Sequence, residues 1–367
     1  MGSSLDKITI KGFKSIRELN DFELKNLNVL IGGNGAGKSN LIEFFRLLRS
    51  IIDGNMNDYI RTNGGISDLL FNGRKETSQM EFITRFGPRG YRFKIKPGRA
   101  ENGLLTDEAR YYPGMTGWWE LGDSPDGISL LVKEAKGNSK DSKYSVPVYD
   151  AIVSWQIYHF HDTSATAAMR HYEIIQDNKV LRFNASNIAP YLLQLRTEHR
   201  DAYQEILDAI RLVMPFFDDF LLDVTEFGEK KQVNLSWHQK GSDYPMQPYH
   251  LSDGSIRFIC LATAILQPQP PSTIIIDEPE LGLHPFAISI ISELIQNTSK
   301  RTQLIVATQS PAFIDNFNVE DIIVVNRENG ASTFERLQEK DFNVWLETYS
   351  VGELWSKNVI SGGPVHE

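Results

Sequence analysis

A parallel α/β sheet built around a phosphate-binding loop and interrupted by an inserted α+β segment is the fold this 367-residue sequence predicts. Three observations carry the expectation. The glycine-rich turn Gly32-Gly33-Asn34-Gly35-Ala36-Gly37-Lys38-Ser39 joins a short apolar strand to an amphipathic helical pattern. A second apolar run, Thr273-Ile274-Ile275-Ile276, ends in the carboxylate pair Asp277-Glu278. After Pro248, apolar runs of strand length alternate with helical patterns, the order that builds parallel sheets.

Composition bounds the class. There are 38 Lys and Arg against 47 Asp and Glu, a net charge of −9, with 41% hydrophobic and 23% charged residues. These are values of a soluble globular protein, and they exclude wholesale disorder. At about 150 residues per domain the length predicts two or three domains. No apolar run approaches the ~18 residues of a membrane-spanning helix, and no secretory leader pattern opens the chain. Cys260 is the single cysteine, so no internal disulfide is expected and a cytoplasmic location fits. The acidic balance disfavours indiscriminate nucleic-acid binding while leaving room for a local basic patch.

Taken in order, Met1-Gly2-Ser3-Ser4 reads as an expression remnant, and Asp6 stands where a myristoylation signal at Gly2 needs Ser or Thr. Alternation of Ile8, Ile10, Phe13 and Ile16 predicts a strand and turn over 5–16. Asn28-Val29-Leu30-Ile31 is the strand before the glycine turn, and Leu41, Phe44, Phe45, Leu48 and Ile52 share one face of a helix over 41–52. Residues 89–150 hold many Gly and Pro, the pairs Tyr111-Tyr112 and Trp118-Trp119, and a polar stretch over 133–143, which read as short strands, long loops and a surface loop. Tyr203, Ile206, Leu207, Ile210 and Val213 predict one long helix over 188–214, with Phe216, Phe217 and Phe220 packed beyond it. Helices over 256–266 and 288–295 then alternate with buried strands over 273–276 and 303–307. The expected division is residues 1–88 and 246–367 for two parts of one head, with 89–245 an inserted lobe for dimerisation or partner contact.

The glycine turn fits G-x-x-x-x-G-K-[ST] in its proper setting between strand and helix. Its glycines let consecutive N–H groups wrap a phosphate. Lys38 then reaches the β- and γ-phosphates and Ser39 ligates Mg²⁺. Asp277 is expected to hold the same metal, and Glu278 to act as general base on the attacking water. Together they predict ATP hydrolysis.

Three further segments narrow the class: Leu251-Ser252-Asp253-Gly254 before the acidic strand, Glu278-Pro279-Glu280-Leu281-Gly282-Leu283-His284-Pro285 after it, and Ala307-Thr308-Gln309-Ser310-Pro311 at the end of the next strand. This order resembles the ABC-type ATPase heads of the RecF, structural-maintenance-of-chromosomes and OLD families. It is most similar to the stand-alone RecF/OLD-like AAA family ATPases of bacteria, with Phe13-Lys14-Ser15-Ile16 at the start and Gly352-Glu353-Leu354-Trp355 near the close. The resemblance spans most of the chain. It implies a P-loop NTPase of the ABC/RecF-like head type, two copies of which close face to face around two ATP molecules. By resemblance the nucleotide contacts are Gly33, Asn34, Gly35, Ala36, Gly37, Lys38, Ser39 and Asn40, with Lys14 and Ser15 beside the adenine. Ser252 and Gly254 would donate to the γ-phosphate held by the other copy, in keeping with the positive end of the helix that follows. Asp253 departs from the transporter-type signature and is expected to face away. Gln309 stands where transporter-type heads have His and would orient the attacking water, a reading preferred to strand-end capping. Arg257 reads equally as added charge or as a surface residue, and His284 as a sensor of the other site or as packing.

His159-Phe160-His161-Asp162 has metal-ligand spacing on a strand, but with no third ligand cluster the structural reading is favoured. The aromatic pairs could stack nucleobases and more commonly serve a core or interface. Function then divides. One reading is an ATP-driven dimer, or higher oligomer, that regulates a separate effector in antiviral defence. The effector would be a Toprim-like or other nuclease, because about 55 residues after the Gln309 segment leave no room for a Toprim domain. The alternative is a RecF-like DNA clamp in repair, using Arg89, Arg92, Lys94, Lys96 and Arg99 as a basic face. An energy-coupling subunit of a membrane transporter is the weakest reading.

Overall fold

The chain opens with a hairpin, β1 (Lys7–Phe13) and β2 (Ile16–Glu23), in the computed structural model, which describes residues 4–360. Of the remnant expected at residues 1–4, residues 1–3 lie outside the described residues. β3 (Leu27–Ile31) departs for a second sheet, and α1 (Lys38–Asp53), α2 (Met56–Thr62) and α3 (Ile66–Leu69) follow it. The chain then returns through β4 (Met80–Phe86), β5 (Arg89–Pro97), β6 (Gly103–Tyr111) and β7 (Trp119–Ser124), giving an antiparallel sheet in the order β2-β1-β4-β5-β6-β7. Met80, Phe82, Thr84 and Phe86 are buried while the residues between them are only partly so, the period of a sheet covered on one face. That covered face packs α1: the Phe44 and Phe82 rings stack at 5.6 Å, and Phe82 meets Phe93 at 4.9 Å.

α4 (Leu130–Lys136) and α5 (Ser142–Ser154) lead into the short strand β8 (Gln156–Tyr158). A small α+β region follows. It comprises β9 (Glu173–Ile174), α6 (Ile188–Glu198), α7 (Arg200–Val213), β10 (Phe217–Leu221), β11 (Thr225–Phe227), β12 (Lys230–Val233) and β13 (Ser236–Gln239). The remainder is α8 (Asp253–Ile265), β14 (Thr273–Asp277), α9 (Pro285–Ser299), β15 (Gln303–Thr308), α10 (Pro311–Ile314), β16 (Ile322–Glu328), β17 (Ala331–Arg336), α11 (Asn343–Leu346) and α12 (Val351–Ser356).

The second sheet runs β17-β16-β3-β15-β14-β8, parallel except for the β16–β17 pair. Its central strands β3, β15 and β14 are buried along nearly their whole length because both faces are covered. Leu30, Ile275, Ile305 and Ile323 join the core shared with α1, α5 and the antiparallel sheet. Val29, Ile274, Ile276, Leu304 and Val306 face a second core with α6, α7, α8 and α9. The carboxyl ends of β3, β14, β15 and β8 thus come out along one edge, the position where such sheets bind ligands.

Four expectations are corrected. The boundary at residue 88 falls in the β4–β5 hairpin turn, and β8, expected within the insertion, pairs with β14. The β8–β14 pairing joins residues more than a hundred positions apart and cannot be read from composition. The single helix over 188–214 is two helices, broken at His199, whose φ of −136° and ψ of 58° leave the helical region. The polar stretch over 133–143 is mostly helical: Leu131 and Val132 of α4, and Ser145 and Val148 of α5, form a buried seam beneath the lysines. Phe217 and Phe220 are buried as expected, but Phe216 is exposed.

The aromatic pairs are mutually packed. Tyr112 stacks on Tyr144 at 3.9 Å, and the Arg110 guanidinium, bound to Glu134 by two hydrogen bonds, lies against Tyr112, Tyr144 and Trp119. Three of the five residues of the basic stretch are matched by acids of the same sheet: Arg92 pairs with Glu120, Lys94 with Asp107 at 3.2 Å and with Glu81 at 3.8 Å, and Lys96 with Asp107 at 3.8 Å. Among the described residues no helix is long and apolar enough to cross a membrane.

Candidate functional site

β3 delivers the glycine turn to the edge of the sheet, and the turn's shape is fixed by close approach. A Cβ on Gly32 would collide with the Val325 carbonyl, and one on Gly37, whose φ is +118°, would collide with Ser332. The Ser332 hydroxyl donates to the Ala36 carbonyl and accepts from the Ser15 hydroxyl at 2.6 Å; Asn40 Nδ2 donates to Ser15 Oγ at 2.6 Å. Ser15 is thereby built into the frame of the loop, with Lys14 next to it, 3.9 Å from Glu43.

α1 begins at Gly37 with no side chain capping its first N–H groups. It borders a cavity of about 130 Å³ lined by Gly33, Asn34, Gly35, Gly37, Lys38, Ser39, Asn40 and Gln309. Uncapped donors and a positive helix end make this an anion site. Lys38 Nζ donates to the Gly32 carbonyl at 2.6 Å and to Gly33 at 3.2 Å. Burial lowers the basicity of Lys38, while the charges of Glu278, Asp277 and Glu280 oppose that shift.

Two strands over, β14 pairs with β15 so that Asp277 is level with Ala307. The Glu278 N–H donates to the Ala307 carbonyl at 2.8 Å, and Glu278 sits at φ +46°, a left-handed conformation of the kind found at functional sites. Gln309 Nε2 donates to Glu278 Oε1, so Gln309 touches both the loop cavity and the acidic pair. Burial raises the Asp277 carboxyl above the usual carboxylate range.

Sequence reasoning missed two participants. The first is the pair of histidines. Tyr158 of β8 is level with Ile276 of β14, so the next residues leave the two strands side by side. His159 Nδ1 lies 3.8 Å from Asp277 Oδ2 and His161 Nε2 lies 3.8 Å from Glu278 Oε2, with the two imidazoles 3.8 Å apart. The pair therefore lies against the carboxylates that end β14, a neighbourhood the His-Phe-His spacing alone did not indicate. Asp162 is bound in its own turn, accepting from the Ser164 N–H at 3.1 Å and hydroxyl at 2.7 Å.

The second is Glu280. Thr308 donates to its Oε1, Oε2 is buried without a partner, and burial raises its carboxyl. A folded-state pKa above the unfolded one means that Glu280 favours the fold at low pH and disfavours it as pH rises through the folded value. Glu280→Gln is therefore expected to raise the melting temperature of the nucleotide-free protein at pH 7, by about 1.3 °C per kcal/mol regained. Calorimetry at pH 5 should show a smaller gain.

His159 Nδ1, His161 Nε2 and Glu280 Oε2 are buried polar atoms with no hydrogen-bond partner in the protein. Gathered around Asp277 and Glu278 beside an anion site, they fit a hydrated cation and a polyphosphate. Among the described residues no group of three His, Cys, Asp or Glu side chains is placed to hold a metal alone. That suits Mg²⁺, which takes one or two protein ligands and completes its shell with phosphate and water.

The signature turn lies on the same side. Ser252 caps α8, accepting from the Ser255 N–H at 3.1 Å, and Asp253 points to Arg170 at 2.9 Å. Arg257 is neither a surface residue nor added phosphate charge: it is 5% exposed and donates to main-chain carbonyls. His284 caps α9, its Nδ1 accepting from the Phe286 N–H at 3.3 Å.

Known proteins share this arrangement. A family model described as "AAA domain, putative AbiEii toxin, Type IV TA system" matches residues 27–315. The phosphate import ATP-binding protein PstB of Ehrlichia ruminantium, in strains Gardel and Welgevonden, is 36% identical over 86 residues, 23% of this chain and 33% of PstB. The match therefore spans about a third of the length of those relatives. The Smc head bound to the C-winged helix domain of ScpA is similar over 93% of this chain and 99% of that one, with a TM-score of 0.56 and 17% identity. The Smc head domain with an extended coiled coil, bound to the C-terminal domain of ScpA derived from Pyrococcus furiosus, is similar over 94% and 98%, with a TM-score of 0.51 and 16% identity. These likenesses show the fold, that of a P-loop NTPase of the ABC-type head.

Proposed function

The chain belongs to this AAA-domain family, an ATP-binding ATPase with an ABC-type head, and from that membership we propose that it hydrolyses ATP with Mg²⁺ as a homodimer or higher oligomer. Its cycle regulates a separate effector, a nuclease, in antiviral defence in the cytoplasm. One observation supports ATP hydrolysis most: the loop cavity, Gln309, Glu278 and Asp277 converge, although they come from three strands.

Mg²⁺, bound together with ATP, would supply positive charge that offsets the charge of the phosphates. Lys38 and the N–H groups over 33–40 would hold the phosphates, and Ser39 and Asp277 would hold the metal. Glu278 takes the proton of the attacking water, and Gln309, which already donates to Glu278, keeps that water in line. Lys14 and Ser15 face the adenine, and Ser252 and Gly254 complete the site from the other copy.

The family description names a toxin of a toxin–antitoxin system, a two-component arrangement that supports a second polypeptide. The repair reading has less support, because three of its five candidate cations, Arg92, Lys94 and Lys96, are paired with Glu81, Asp107 and Glu120. The test is to express the chain with its genomic neighbours and weigh the complex in Mg-ATP. A second chain in fixed ratio is the expected result. A homodimer alone, with ATP turnover stimulated by DNA, would overturn the effector reading in favour of the clamp.

A further inference from the structure

Two arginines bind the signature turn to the segment that carries the histidine pair. Arg257, one turn into α8, donates through Nε to the Phe160 carbonyl at 2.8 Å, through Nη2 to that of His161 at 2.9 Å, and through Nη1 to that of Leu281. Arg170, reaching the other way, donates through Nε to the Thr163 carbonyl at 2.9 Å and through Nη1 to those of Pro248 at 2.6 Å and Leu251 at 3.0 Å. Its Nη2 donates to Asp253 at 2.9 Å. The side chain of Arg170 is 6% exposed. The backbones also touch, since a Cβ on Gly254 would lie 2.6 Å from the Gly282 carbonyl oxygen.

All three hydrogen bonds of Arg257 end on carbonyls, and burying a cation without an anion partner is a poor way to gain stability. What they fix is geometry. On one side stand His159 and His161, over the carboxylates of this copy's own site. On the other stands the amino end of α8, with Ser252 and Gly254.

We propose that Arg257 and Arg170 are positioning residues that lock the signature turn to the His159–His161 segment and the loop after Glu278, so that closure on the partner's nucleotide and alignment of the local catalytic groups occur together. The proposal rests on the dimer reading above. It makes the two ATP sites of a dimer interdependent through one rigid unit in each copy, and it accounts for Asp253 as the anchor of Arg170.

The test uses the full chain with Arg257→Met, which keeps the apolar stem, and Arg170→Met, each alone and with Glu278→Gln. The readouts are melting temperature, Kd for a fluorescent ATP analogue, kcat and KM, and mass in Mg-ATP. Expected is a kcat lower by about tenfold, in the range of typical site–site coupling, with Kd changed less than about twofold. The double variants should dimerise at correspondingly higher protein concentration. Folded variants with the kcat and dimerisation of their parents overturn the proposal, as does a Kd that weakens in step with kcat. If Arg257→Met does not fold, Arg257→Lys, able to reach fewer of the carbonyls, must show the same split at smaller size or the proposal falls. A Glu278→Gln control that stays monomeric in Mg-ATP overturns the dimer reading itself, which separates that failure from a dimeric control whose double variants dimerise equally well.

Discussion

Lys38→Ala is expected to abolish measurable ATP turnover and to remove the stabilisation that Mg-ATP gives the folded protein. The argument begins with what Lys38 does in the loop. Its ammonium is buried, donates to the Gly32 and Gly33 carbonyls, and feels three carboxylates, of which Glu278 acts most strongly. Charge-assisted hydrogen bonds to phosphate contribute about 1.5–3 kcal/mol each. Removing a donor aimed at charge that develops in the transition state lowers kcat about 10²–10³-fold. Loss of fold is a separate effect with a separate signature. The variant sheds a partly desolvated cation, so its nucleotide-free melting temperature should stay within a few degrees of the parent. A ligand at a hundred times its Kd stabilises by about 2.7 kcal/mol. That shift, plain in the parent on adding Mg-ATP, should vanish in the variant. A preserved shift together with preserved turnover would remove Lys38 from the phosphate site.

The loop, the acidic strand and Gln309 were legible because each is a local pattern: a few consecutive residues between a strand and a helix, or at the end of an apolar run. Their convergence follows from the parallel order β3-β15-β14, which sequence can predict once three buried strands and their crossover helices are recognised. The histidine pair escaped because its meaning depends on β8, a three-residue strand that pairs with a strand more than a hundred positions away. Arg257 escaped for a related reason. At one turn into an amphipathic helix a basic residue reads as solvated, and only the approach of the Phe160, His161 and Leu281 carbonyls gives it a buried role. Glu280 lay in the open within a recognised motif. What singles it out is burial, and the sequence shows burial of apolar faces far better than burial of a single carboxyl. The broken helix at His199 belongs here too, since the apolar spacing continues through the break while the backbone does not.

Glu278→Gln should separate binding from chemistry. The amide keeps an oxygen that can accept from Gln309 Nε2, fills the same volume and retains the main-chain bond to Ala307, so the strained turn at φ +46° has no reason to relax. What is lost is the capacity to take a proton from water, which is worth about 10²–10⁴-fold in rate. ATP affinity should therefore stay near that of the parent while kcat falls by at least about 10²-fold. A complex that hydrolysis normally dissolves would then persist. In Mg-ATP the variant should run at twice the monomer mass by light scattering, and in Mg-ADP as the monomer. The two outcomes test different residues. Unchanged turnover would take the base assignment from Glu278 and direct attention to His161, which faces it at 3.8 Å. Lost turnover without a dimer would leave the base in place and remove Ser252 and Gly254 as contacts to a second copy, because a signature turn that met the partner's nucleotide could not fail to hold the trapped pair together.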